Sequence, residues 1–526
     1  MMKIVTMKRC VHFLRILLLL LVIVFSGCKK FLNVEPLDNL SGNNYWKSKN
    51  DVETFTKDIY RLFRVAATSN ILIIQADYRC GPCKQSKSAF PARQDFTYIS
   101  QNNLRKALAA RADRTLAGYD PYTEWWQANV RYDMIPDWNN FYRVIQSCNI
   151  LIQKLNDVPD PELTGSLKAK YNAEAVFMRA LSYFFMVRLY GDVPYYTTPY
   201  NQDPLPRTDM KTVLANCIAE VEKIKNDLPW TYDDPANRAV RAMHGAALAL
   251  GMHMNMWLAG FDPARKQAYY EATDRLANEL EQLGEKGQGA YRLLPLSESV
   301  QLFSGRSQEG LFEIPQNFNY GELVASRVSF SFSVLHEPYR KGKPYSELVY
   351  YSQYMKKIYP ESQADGRKEK WFDQYIYDET GLFQFFKFFS VYANNSEGER
   401  SSDDNFMIFR YADALLLHAE ALAELGRDDE ATALLNRIRQ RAGAELFPAE
   451  PGGGNLKDAV YWERCRELMG EGHYFYDLVR TKKLIDPKYC YNPISYSEFI
   501  QGAWTWPISK DAMKNNPYMR LNDFWQ

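Results

Sequence analysis

Cysteine is scarce in this sequence. Eight occur in 526 residues, and only Cys80 and Cys83 stand close together. A disulfide framework of the kind that staples small exported domains is therefore excluded. Histidine is scarcer, six in all, and no Cys or His cluster has the spacing of a zinc site. An excess of one charge is also missing, with 64 Lys and Arg against 63 Asp and Glu. Nucleic acid and anionic membrane surfaces are thus left without an electrostatic footprint to recognise. There is no phosphate-binding glycine loop, no nucleophile elbow and no His-Glu-x-x-His helix. No metal, cofactor or catalytic residue is expected, and the chain does not read as an enzyme.

The longest apolar run lies at the start. Lys3, Lys8, Arg9 and Arg15 precede ten apolar residues from Ile16 to Phe25. A basic stretch followed by a short apolar one is a secretory signal, too short to span a bilayer, which takes about 20 residues. The run ends in Phe25-Ser26-Gly27-Cys28, which resembles a bacterial lipobox, so Cys28 is expected to carry the lipid. Residues 1–27 then leave as the signal, and the mature chain holds 60 basic and 63 acidic residues, a net −3. Contact with a membrane would come from the lipid alone.

What the chain has is aromatic residues, 14% of the whole with 36 Tyr and 11 Trp, and helical periodicity. Val52, Phe55, Ile59, Leu62 and Phe63 fall on one helical face, with Asn50 or Asp51 placed to cap it. Residues 67–136 read as irregular. Helices are expected near 137–155, 166–190, 209–227, 238–259, 264–284, 405–442 and 457–483. Gly191 ends the second of these and Pro194 forbids its restart. Residues 285–404 are rich in Gly, Pro, Tyr and Phe with short alternating runs such as Arg327 to Val334. Residues 419–439 read as two helices around Gly426, with Ala419 and Ala431 at a close crossing, similar to a tetratricopeptide repeat. The fold class is mainly α: helical hairpins with a loop-rich, partly β lobe. The expected parts are the signal 1–27, an anchor and tether 28–50, helices and loops over 51–284, the variable lobe 285–404, and C-terminal hairpins and tail over 405–526.

Five segments together resemble the SusD/RagB family of outer-membrane nutrient-binding lipoproteins. They are Cys28 with Phe31 to Pro36, Asn172 to Pro194, Phe409 to Leu422, Glu463 to Arg480, and Trp506 to Ser509 followed by Asn516-Pro517. They occur in the family's order and span nearly the whole chain. The resemblance implies a tetratricopeptide-like scaffold and a lipid-anchored protein on the outer membrane, facing the exterior. It implies an oligosaccharide ligand and a partner, a TonB-dependent SusC-like transporter that the protein closes as a lid. The charged residues of these segments, Glu174, Arg179, Glu463, Arg464, Glu467, Asp477 and Arg480, read as ion pairs that fix helix register rather than as catalysts.

Sugar recognition needs flat ring faces and planar hydrogen-bonding groups. Gly118 to Asn129 supplies Tyr122, Trp125, Trp126 and Asn129. The Trp126–Asn129 spacing is similar to an aromatic-plus-amide pair of starch-binding members. The run from Pro315 to Gly321 adds Asn317, Phe318 and Tyr320, and the early loops add Asp77 and Arg79. Next to these stands Cys80-Gly81-Pro82-Cys83, a thioredoxin-like motif without the Trp that usually precedes it. A local disulfide in a surface turn is the expected state, with free thiols and redox catalysis as alternatives. Three other functions stay open: a peptide-binding member of the same family, an envelope thiol–disulfide oxidoreductase, and a scaffold with no small ligand.

Overall fold

The computed structural model describes residues 45–68, 75–88, 94–109, 135–201, 203–316, 333–340, 342–388, 392–393, 400–401, 404–448, 454–514 and 516–526. Its main helices are α1 Lys49–Thr68, α2 Asn139–Lys154, α3 Gly165–Tyr190, α4 Met210–Ile224, α5 His244–Phe261, α6 Lys266–Glu279, α7 Tyr411–Glu424, α8 Asp428–Arg441, α9 Leu456–Glu467 and α10 Tyr474–Arg480. Among the described residues, six short strands are β1 Cys83–Gln85, β2 Gly310–Ile314, β3 Leu348–Tyr350, β4 Tyr392–Ala393, β5 Arg400–Ser401 and β6 Phe406–Arg410. They pair only two by two, all antiparallel: β1 with β3, β2 with β6, β4 with β5.

Helices adjacent in sequence are adjacent in space. Packing runs from α1 and α2 onto α3, then through α4, α5, α6 and α7 to α8 and α9. This is the stacked-hairpin logic of a helical repeat. The N-terminus of α1 is closed by Ser48 and Asp51 reciprocally: Ser48 N donates to Asp51 Oδ2 at 2.8 Å, and Asp51 N donates to Ser48 Oγ at 3.3 Å. The cap is therefore Ser48, and Asp51 answers it from inside the helix. Phe55 packs at the rim, 4.9 Å from Trp46. Helices α3 and α5 are buried on nearly every side, so they form the axis of the core. Gly191, at φ 75°, ends α3 as expected. Gly260 lets α5 run against the end of α10, since a Cβ there would meet the Arg480 carbonyl oxygen at 2.0 Å. Ala419 and Ala431 are fully buried where α7 and α8 cross.

Two expectations need correction. The stretch 405–442 opens with β6 rather than helix. Phe406, Met407, Ile408 and Phe409 are apolar and partly β-branched, and pairing with β2 decides a run too short for periodicity to classify. Residues 67–136 are not wholly irregular, because short helices occupy Gln75–Tyr78, Gln94–Ser100 and Leu104–Ala109. The alternating run Arg327 to Val334 lies outside the described residues except for its last two.

The charged residues of the helices are buried and paired. Glu467 on α9 takes Arg367 at 2.9 Å, Arg410 at 2.8 Å and Arg441. Glu463, one turn earlier, takes Arg367 at 2.8 Å, Arg466 at 3.0 Å and Arg439 at 3.1 Å. Glu471 holds Arg410 at 2.7 Å and Lys387 at 2.6 Å. A second cluster joins Arg464 to Asp413 at 3.0 Å and to Asp477 at 2.8 Å, with Arg480 on Asp477 at 2.8 Å. Further along the stack, Glu174 accepts from Arg241 at 2.9 Å and from Tyr60 Oη at 2.8 Å, and Arg179 meets Glu220 at 3.1 Å. The register reading of these residues is what the geometry shows.

The Cys80–Cys83 motif differs from expectation. All six cysteines among the described residues are free and buried, so the turn carries no disulfide. Its helix precedes the motif, and the chain after Cys83 enters β1 rather than a helix. A redox thiol needs the opposite order, with the first Cys at a helix N-terminus that lowers its pKa. Burial instead pushes the Cys83 thiol up, helped by the nearby Asp77 charge. The Cys80 carbonyl is occupied by Cys490 Sγ at 3.5 Å.

Three outcomes follow from the burial. Glu467→Gln leaves three guanidinium groups without their shared anion, and is expected to lower unfolding free energy by roughly 3–5 kcal/mol. The same network makes the fold acid-sensitive. Burial alone raises the Glu463 and Asp477 carboxyls, but Arg367, Arg466 and Arg439 around the first, and Arg464 and Arg480 around the second, outweigh it and hold both down at about 2. Unfolded carboxylates titrate near 4, so this stabilisation is complete above about pH 4 and is lost as the pH falls toward 2. Urea midpoints measured at pH 7, 4 and 2.5 should fall only at the last step. In native chain starting after Cys28, the six thiols should react with a thiol reagent slowly, and all six should titrate in denaturant without reductant.

Candidate functional site

Of the nine residues expected to face a ligand, two lie among the described residues, and both are inside. Asp77, in the short helix Gln75–Tyr78, is 3% exposed. Its carboxylate accepts Gly470 N at 3.2 Å and Gly472 N at 2.8 Å. Burial pushes its pKa up to about 8 against these two N–H groups and Lys387. Arg79 donates from Nη2 to the Ala503 carbonyl at 2.9 Å and from Nε to Asn102 Oδ1 at 2.8 Å. Its guanidinium lies 4.2 Å from the Phe475 ring centre and 5.4 Å from that of Trp506. Neither residue is on a surface loop. Together they bind the first loop region to the loop after α9 and to the C-terminal tail. Tyr122, Trp125, Trp126, Asn129, Asn317, Phe318, Tyr320 and the lipidation residue Cys28 lie outside the described residues.

A groove of about 940 Å³ opens at one end of the helix stack. Its walls are the ends of α3, α5 and α10, the start of α6 and α9, the face of α7, and the C-terminal segment from Tyr496 to Asp523. The floor is aromatic: the Phe261 ring lies 5.3 Å from Trp504 and 6.2 Å from Phe499. Tyr496 and Ile500 stand on the short helix Tyr496–Ile500, which Ser495 and Glu498 cap reciprocally. With Tyr518 they form an open rim, 67%, 66% and 57% exposed. Seven lysines and arginines line the groove against four carboxylates, which leaves it positive although the whole chain is nearly neutral, at a net +1.

Most of these cations are already engaged. Arg480 is bidentate on Glu420, its Nη2 donating at 2.7 Å. Lys457 meets Glu424 at 3.1 Å and Lys266 meets it at 3.7 Å. Arg207 and Arg520 donate to backbone carbonyls. Lys483 and Lys482 have no carboxylate pair among the described residues; Lys483 Nζ rests 4.5 Å from the Tyr489 ring centre, and Lys482 also departs in its backbone. Its backbone is left-handed at φ 62°, and its Nζ lies 3.6 Å from the Phe261 ring centre and 4.4 Å from that of Phe499. No carboxylate among the described residues pairs with it, and burial lowers its pKa to about 8. Sequence reading missed this groove because its walls come from residues 191 to 523. The signals present were the Lys482-Lys483 pair, one residue beyond Arg480, and the Trp-rich tail.

One buried group has the donors of a metal site. His253, Asp413 and His473 bring their ligand atoms within 4.8 Å of one another. His253 Nε2 is 2.6 Å from Asp413 Oδ2, while Arg464 stands 3.0 Å from Asp413 Oδ1. Burial, opposed by Asp413, lowers the His473 pKa to about 4. The guanidinium already supplies the positive charge that a cation would bring, so the cluster fits a charge-balanced core better than a metal centre.

The same architecture occurs in solved structures. A SusD homologue from Bacteroides thetaiotaomicron is 38% identical, with 91% of this chain and 98% of that chain aligned at a TM-score of 0.80. A laminarin-binding SusD-like protein is 19% identical, with 91% and 99% aligned at 0.66. Among curated sequences, a SusD-like protein of Formosa agariphila is 24% identical over 535 residues, which cover 95% of this chain and 96% of its own. The profile described as "SusD family" matches residues 264–525, and that described as "Starch-binding associating with outer membrane" matches 83–251. On the 38% identity sustained over nine-tenths of its length, the chain belongs to the SusD family.

Proposed function

We propose that the protein is a lipid-anchored receptor on the outer face of the outer membrane. It captures oligosaccharides and passes them to a TonB-dependent, SusC-like transporter. The observation that carries the reading is the match of residues 83–251 to a family described as starch-binding and associating with the outer membrane. That span contains Tyr122, Trp125, Trp126 and Asn129, whose rings and amide have the chemistry a pyranose requires. The laminarin-binding protein and a surface glycan-binding protein from Bacteroides uniformis, TM-score 0.66, share the scaffold.

Binding without catalysis fits the buried charges. Glu463, Glu467, Glu471 and Asp477 are each held by guanidinium or ammonium groups, so none is free to move a proton. No helix among the described residues is long and apolar enough to cross a membrane; the anchor in this reading is a lipid on Cys28. The lid action would be a hinge-type closure of this rigid body over the transporter.

Calorimetric titration of the chain starting after Cys28 against neutral oligosaccharides and short peptides tests the reading. Saturable sugar binding is expected, with a loss of at least about tenfold in Trp126→Ala, equivalent to about 1.4 kcal/mol. Saturable binding of peptides instead of sugars would overturn it. For the anchor, Cys28→Ser in cells should move the protein from the membrane pellet to the soluble fraction. Retention in the pellet at the native level would sink the lipid assignment.

A further inference from the structure

The groove at the end of the helix stack is built from residues that have no part in the loop site proposed above. We propose that it is a second ligand site, which takes an acidic oligosaccharide and seats its anionic group, a carboxylate or a sulfate ester, on the Lys482 ammonium. The inference rests on the reading of the protein as an oligosaccharide binder, and it adds both a site and a ligand class to it.

Four observations carry it. The first is size: about 940 Å³ is at the upper end of the range of ligand pockets and suits a short oligomer rather than an ion. The second is the unmatched charge. Lys266, Lys457 and Arg480 are held by Glu420 and Glu424, whereas Lys482 has no carboxylate partner among the described residues. Its Nζ rests on the Phe261 and Phe499 rings at 3.6 and 4.4 Å. Those rings stabilise the cation from one side by their quadrupoles, but they neither neutralise it nor accept a full hydrogen bond. The third is the backbone. A lysine at φ 62° occupies a region that non-glycine residues enter only when the surroundings hold them there, and such positions gather at binding sites. The fourth is the rim. Tyr496 and Tyr518 are more than half exposed and offer ring faces to the apolar side of a sugar beside the cation.

The lining also separates a sugar from a peptide. An extended peptide is usually taken up by pairing with a free sheet edge. The groove walls are helix ends and turns, and no strand contributes to them. What they offer instead are side chains suited to hydroxyl groups, among them Gln501, with Lys482 for the acid.

The test is titration of the mature lipidated protein in detergent with four probes. These are an oligogalacturonate, a sulfated galactan oligomer, a neutral gluco-oligomer and an oligoglutamate peptide. One or both acidic oligosaccharides should bind saturably, and which of them binds distinguishes carboxylate from sulfate. Lys482→Asn removes the charge while keeping a residue that tolerates the left-handed backbone. It should weaken that binding at least tenfold, and Lys482→Arg should restore most of it. Neutral-oligomer binding should be unchanged in Lys482→Asn and lost in Trp126→Ala, so failure of the loop site and failure of the groove are read separately. Three results would overturn the proposal: no acidic oligosaccharide binds, Lys482→Asn binds it as well as the wild type, or oligoglutamate binds at the groove as tightly as the sugars.

Discussion

The structure depends on a carboxylate with three guanidinium groups around it. Glu467 sits at the end of α9, and Arg367, Arg410 and Arg441 reach it from three separate parts of the chain. Helix stacks bury apolar faces against each other, and apolar contacts alone tolerate sliding by a turn. A buried acid with several partners does not, because a shift of one turn, about 5.4 Å, would strand charges in a low-dielectric interior. Glu463 and Glu471 repeat the arrangement on either side. The segment from Glu463 to Glu471 thereby ties together α8, β6 and the turn that carries Arg367, and Arg410 extends the network to Glu309, the residue before β2. The cost of desolvating these ions makes them a poor source of net stability. Their effect is to leave the scaffold a single register.

The same constraint places the loops. Asp77 accepts the N–H groups of Gly470 and Gly472, which flank Glu471. The loop region after α1 is therefore fastened to the network itself, one hydrogen-bond layer away from the ions. Arg79 adds a tie to the tail at Ala503 and stacks on Phe475 and Trp506. Recognition elements that leave from this region start from a fixed point. Preorganisation of that kind lowers the ordering cost when a ligand binds.

Much of this was legible in the sequence where the signal is local. Helix α3 announces itself by an unbroken run of core residues, Gly191 by its position after it, and the Ala419–Ala431 crossing by small residues on either side of Gly426. The charged residues of α9 and α10 were legible as ion pairs, because acids and arginines embedded in apolar helices have few other stable states. The failures are all long-range. Strand β6 looked like the first turn of α7, since only its pairing with β2, almost a hundred residues earlier, distinguishes the two. Asp77 and Arg79 looked like surface hydrogen-bonding groups because their partners lie roughly four hundred residues away. The Cys80–Cys83 turn was read as a surface disulfide, and the burial of both free thiols comes from packing that the local sequence does not display. The groove could not be read at all, for its walls meet only in the folded chain.

Lys482 follows from the opposite reasoning to the buried network. In the network every charge is matched, and the geometry is explained by stability. Lys482 has a backbone that disfavours lysine, a partly desolvated ammonium with lowered pKa, and no counter-ion among the described residues. Each of these features costs stability, and glycine or asparagine would hold the same turn with less strain. Positions where local preference and fold disagree are where function is to be sought. Here the disagreement sits inside a groove of about 940 Å³, on an aromatic floor, beside open tyrosines. A cation so placed is incomplete until an anion arrives, and a ligand that supplies one recovers part of the desolvation the empty groove already bears.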